Sequence, residues 1–133
     1  MSATGTVGIS GVGQVSINVH DVQRAIGFYR DVLRLPLLFE IPNAAFFQAG
    51  GLRLYLAIAE TAELDHPASV LYYRVPDIQA AYAAITAAGA YGEHEPRMIA
   101  RMPDHDLWMA FFHDTEGNLA ALMSELPRAD GAS

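Results

Sequence analysis

The chain of 133 residues contains no cysteine. That excludes a disulfide framework, a thiolate nucleophile and a thiolate metal site. Basic residues are scarce: eight Lys and Arg stand against fifteen Asp and Glu, a formal net charge of −7. So acidic a balance argues against a nucleic-acid partner or an anionic membrane surface. No run of about 18 uninterrupted apolar residues occurs, so no membrane span is expected. The N-terminus shows no basic stretch followed by an apolar one, so no signal peptide is expected, and the expected location is cytoplasmic. There is no G-x-S-x-G, phosphate loop or dinucleotide fingerprint. Gly8, Gly11 and Gly13 precede a strand rather than open a helix, which fails the context such motifs require.

What the chain does have is a repetition. Residues 14–29 and 70–85 align at a constant offset, with Val19 matching Val75, Asp21 matching Asp77, Gln23 matching Gln79 and Ala25 matching Ala81. In each copy an alternating strand runs into an Asp placed to cap a helix. Val15, Ile17 and Val19 share one strand face. Apolar residues then recur at 22, 25, 26, 29, 32 and 33, a helical spacing. Strands are expected over 37–41, 45–48 and 52–58, with a turn at Gly50-Gly51. A polar link over 60–68 leads to a strand near 69–75, a helix opening at Asp77 and ending at Gly89, and strands near 95–101, 107–112 and 119–124. Asp114 to Asn118 forms the last turn. The class is α+β: two β-α-β-β-β modules, about 12–59 and 69–125, in one domain over residues 1–133. Residues 1–10 and the tail from Pro127 read as loose ends.

The motif Val-x-Asp-x-x-x-Ala-x-x-Phe-Tyr-x-x-Val-Leu (Val19 to Leu33), with the late Asp-x-x-Gly-Asn turn (Asp114 to Asn118), resembles the vicinal oxygen chelate superfamily. That group includes glyoxalase I, fosfomycin resistance proteins, extradiol dioxygenases and bleomycin resistance proteins. The resemblance covers about residues 12–125. It implies paired modules forming a half-open barrel, and a homodimer whose pairing covers exposed sheet edges. One departure is Arg34, where the family's helix usually ends in Gly. The metal-dependent members take their ligands from set strand positions, which carry over to Gln14, Tyr55, Val70 and Ala121. Val70 and Ala121 cannot ligate, Tyr55 is a poor ligand, and a lone Gln14 will not hold a divalent ion. On this carry-over the chain has no metal site of the family type and needs no cofactor.

If the sheet curls as the resemblance implies, the polar-facing strand positions line a hollow. A small, aromatic or hydrophobic organic ligand is then expected against Gln14, Phe47, Tyr55, Tyr72, Arg74 and Met123, with Trp108, the only tryptophan, stacking on it. His105, between Asp104 and Asp106, is the candidate acid or base. Read plainly, His105 sits in a polar loop and Trp108 in the core. A metal site from His94, Glu95 and His105 has no diagnostic spacing. Arg97 and Arg101, four apart on one strand, would share a side and suit a carboxylate or phosphate. Three functions remain open: a metal-free binding protein of the bleomycin-resistance type, a metal-dependent lyase, isomerase or dioxygenase of the glyoxalase type, and a metal-free enzyme using His105.

Overall fold

The computed structural model describes residues 7–67 and 69–128. Part of the expected N-terminal loose end and most of the tail lie outside them. The first module holds strands β1 (Gln14–Asn18), β2 (Leu37–Ile41), β3 (Ala44–Ala49) and β4 (Leu52–Ala57), with helix α1 (Val22–Gly27) after β1. The second holds β5 (Leu71–Arg74), helix α2 (Ile78–Ala87), and strands β6 (Tyr91–Gly92), β7 (Arg97–Arg101), β8 (Asp106–His113) and β9 (Leu119–Leu126).

The repeat is real at atomic level. Asp21 and Asp77 occupy the same extended conformation, φ −131° and −133°. Each side chain accepts from the amide three residues on, Arg24 N at 3.0 Å and Ala80 N at 3.1 Å, satisfying one of the amides that a helix start leaves open. The sheets repeat as well. The first runs β1-β4-β3-β2 and the second β5-β9-β8, with β6 and β7 sharing the outer edge of β8. β1 lies parallel to β4 and β5 to β9, while the other pairs are antiparallel.

Two local departures from sequence expectation have physical causes. Helix α1 does not run regularly to Leu33. It widens into a π turn over Phe28–Val32, with the Leu33 amide donating to Phe28 O, and leaves through Arg34 at φ +59°. A left-handed conformation costs a residue with a Cβ about 1–2 kcal/mol. The strand expected over 95–101 forms as Arg97–Arg101, but an unexpected short strand, Tyr91–Gly92, precedes it and pairs with the other end of β8. Pro96, which has no amide hydrogen to donate, stands just before Arg97–Arg101.

Both modules share one core. Ile17, Leu54 and Phe47 from the first sheet join Phe112, Leu122 and Ile85 from the second module. The seam is aromatic and polar at once. The Phe28 ring stacks on Phe112 at 6.4 Å. Tyr29 lies 6.0 Å from Phe47 and donates its hydroxyl to Asp114 Oδ2 at 2.7 Å. Burial, then Tyr73 and Asp114 nearby, push the Tyr29 hydroxyl far above its ordinary range, so it remains a donor.

The Asp114–Asn118 turn of the second module also caps the first module's helix. Glu116 Oε1 accepts from the His20 amide at 2.5 Å and the Asp21 amide at 3.3 Å, while Oε2 accepts from Arg24 at 2.7 Å. The carboxylate side chain is 2% exposed. Burial alone would raise its pKa, but the two amides and Arg24 outweigh that and hold it below its ordinary 4.5. A group depressed in the folded state stabilises above its unfolded pKa and loses that contribution as pH falls. The melting temperature is therefore expected to drop as pH is lowered below about 4.5. Glu116→Gln should flatten that drop in a calorimetric pH series. An unchanged acid limb would show that Glu116 plays no part.

Candidate functional site

Each sheet has a face turned to the shared core and a face turned outward. Cross-strand partners project to the same side, so the register assigns every residue. In the first sheet the outward rows read Gln14–Arg53–Gln48 and Ser16–Tyr55–Phe46–Phe39. In the second, one outward row reads Tyr72–Ala121–Phe111 and the next Arg74–Met123–Met109.

The first outward face carries an aromatic ladder. Phe39 stacks on Phe46 at 4.5 Å, and Phe46 lies 4.7 Å from Tyr55. Phe39 is 49% exposed. On the second face Tyr72 meets Phe111 edge-to-face at 5.8 Å, and His94 stands 5.8 Å from Phe111. Ala121 lies between Tyr72 and Phe111 in the strand order and is wholly buried. Such surfaces match planar organic molecules, since ring faces stack with offset geometry.

Of the residues singled out from sequence, the structure gathers Gln14 and Tyr55 on the first outward face, and Tyr72, Arg74 and Met123 on the second. It does not bring Phe47 or Trp108 there. Phe47 pairs with Leu54 on the core side and is fully buried. Trp108 shares its row with Ser124 and packs against the core from the helix side. Phe39, Phe46 and Phe111 were missed. The two-residue turn at Gly50-Gly51 held the signal, because it pairs Ala49 with Leu52 and so Phe46, not Phe47, with Tyr55.

His105 sits at the end of the second outward face in a chain of polar contacts. Its Nδ1 lies 2.7 Å from Asp104 Oδ1 and its Nε2 3.6 Å from Glu125 Oε2. The other oxygen of Glu125 lies 3.5 Å from Arg74 Nε. The expected Arg97 and Arg101 pair is not formed. A bulge between Met98 and Ala100 puts them on opposite sides, where Arg97 meets His94 and Arg101 meets the buried Asp106.

A cleft of about 980 Å³ opens between the modules on the helix side of both sheets. Val15 and Leu54 line it from one sheet, Leu71 and Tyr73 from the other, and Ile85 from α2. Arg34, Arg74 and Glu125 stand at its border. A smaller hollow of about 600 Å³ lies beside His20, Gln23, Glu40 and Asn43.

A sequence profile of the Glyoxalase/Bleomycin resistance protein/Dioxygenase superfamily matches residues 11–122. The chain belongs to that superfamily. Among its relatives is the metallothiol transferase FosB of Staphylococcus saprophyticus, 35% identical over 65 residues, which are 49% of this chain and 40% of that protein. FosB of Staphylococcus epidermidis is 34% identical over 65 residues, 44% of its length. The matched region thus spans less than half of these curated relatives. Solved structures with this fold include a lactoylglutathione lyase from Agrobacterium tumefaciens, with TM-score 0.67 and 20% identity over 88% of this chain and 95% of that one. TioX from Micromonospora sp. ML1 has TM-score 0.71 and 20% identity over 88% of this chain and all of that one.

The four carried-over positions hold Gln14, Tyr55, Val70 and Ala121. Tyr55 lies tilted against Phe46 in the ladder, and Ala121, between Tyr72 and Phe111 in register, is wholly buried. Among the described residues no group of three or more His, Asp or Glu is placed to share an ion, the His94, Glu95 and His105 set included.

Proposed function

We propose that this superfamily member is a metal-free binding protein for a small planar or hydrophobic organic molecule, held against the outward sheet faces. The observation that carries the reading is the chemistry of four positions. Where a metal-dependent member needs hard ligands, this chain places one amide, one phenol packed against Phe46, Val70 and the buried Ala121. The space is given to rings instead. Phe39, Phe46 and Tyr55 offer one stacking surface, and Tyr72 with Phe111 another. Gln14 and Arg74 would fix a ligand's polar groups. With Phe39 and Tyr72 half exposed in one chain, a second copy laid against these faces would complete the enclosure, making the working unit a homodimer.

The test has two arms. Elemental analysis of protein purified without chelator should find far less than one divalent ion per chain, and EDTA should leave the melting temperature unchanged. A stoichiometric ion would overturn the reading. Calorimetric titration against a panel of planar aromatic compounds should yield a binder whose affinity falls about three- to tenfold in Tyr55→Ala and Tyr72→Ala, the loss expected from an aromatic contact.

The polar chain Arg74–Glu125–His105–Asp104 favours a second reading, a metal-free enzyme in which His105 moves a proton. It requires that a bound ligand reach His105, and His105→Ala with undiminished turnover would dismiss it.

A further inference from the structure

The inter-module cleft lies on the helix side of the sheets and meets the second outward face at Tyr72, Arg74 and Glu125, which also line it. Its walls are apolar and come from both sheets and from helix α2. Its volume of about 980 Å³ lies in the range of pockets that enclose small organic ligands. Its mouth is charged. Arg74 there is balanced by Glu125 at 3.5 Å. Arg34 has no such partner among the described residues, in a chain with almost twice as many acidic as basic groups. The border therefore carries one uncompensated positive charge.

Arg34 is also held where its backbone would favour glycine, at φ +59°. A glycine would end the π turn without steric cost. The side chain is thus the one component of this residue that the helix exit does not need, and it stands on the border of the apolar cleft.

We infer that the cleft is a second binding site, for an organic monoanion with an apolar body and a single carboxylate seated on Arg34. The apolar body would contact Leu54, Leu71 and Ile85, which line the cleft. A guanidinium suits the head because its donors meet both carboxylate oxygens at once. One net positive charge at the mouth fits a monoanion, and a cationic amphiphile would meet Arg34 unfavourably.

The probe is decanoate, titrated into isotope-labelled full-length protein and followed by amide chemical shifts, with decan-1-ol as the neutral control. Saturable shifts are expected at Leu54, Leu71 and Ile85. Arg34→Gly should weaken decanoate at least about tenfold and leave decan-1-ol within about twofold. That variant relieves the left-handed residue, so it should melt no lower than the parent, and lost binding cannot be ascribed to unfolding. Ala84→Trp, at an exposed position on the cleft wall, should block both probes. The inference is overturned by unchanged decanoate affinity in Arg34→Gly, by shifts confined to Phe46 and Tyr55, or by no saturation up to about 1 mM. It is also overturned if sedimentation shows self-association that excludes both probes from the cleft. Phe46→Ala and Tyr55→Ala, on the first outward face and outside the cleft lining, should leave decanoate binding intact, which separates this site from that face.

Discussion

Phe112→Ala is expected to destabilise the protein by about 3–5 kcal/mol, the range for deleting a fully buried aromatic ring. The ring is wholly buried. It stacks on Phe28 from the first module and lies 6.5 Å from Tyr73 of its own. Truncation would leave a void bounded by strands and by the π turn, and close-packed walls of that kind collapse only in part. Domains of this size have about 5–15 kcal/mol in hand, so a fifth or more would be gone. In urea the midpoint should fall with the slope unchanged, and both modules should still unfold in one transition. Two separate transitions would show that the shared core does not couple the halves.

Asp114→Ala should cost about 3 kcal/mol, by another route. The Asp114 side chain is nearly buried and accepts from four donors: the Tyr29 hydroxyl at 2.7 Å, the Glu116 and Asn118 amides at 2.8 Å each, and the Asn118 side chain at 3.0 Å. Removing the acceptor strands a buried tyrosine hydroxyl and releases the turn that places Glu116 on helix α1. Tyr29→Phe removes only one of those bonds and should cost about 1.5 kcal/mol. The two changes should be less than additive in a double-mutant cycle, because they share one contact. Full additivity would mean that the Tyr29–Asp114 bond contributes nothing.

The helix starts were legible in the sequence because capping is local. Asp21 and Asp77 need only the amides three residues on, and the same short motif encodes both. The sheets were less legible where strands are apolar on both sides. β3 carries two consecutive phenylalanines, and β8 reads Leu-Trp-Met-Ala-Phe-Phe, so alternation alone cannot say which set faces the core. Phe47 and Trp108 were offered as ligand contacts, and the register places them on the core side. Arg97 and Arg101 failed for a different reason. One bulged residue between them reverses the alternation, and no residue in Met98-Ile-Ala100 announces it. The cleft was invisible because its walls come from segments far apart in the chain that meet only on folding.

The two joints between the modules are not equal. At one, the Asp114–Asn118 turn reaches across and holds the start of α1 through Glu116. At the other, Gly50 and Gly51 of the first module and Val75 and Pro76 of the second all line the open cleft. A chain built as two near copies has thus been latched on one side and left ajar on the other. The copies have become left and right hands of a single tool, and swapping one for the other would either shut the gap or undo the latch.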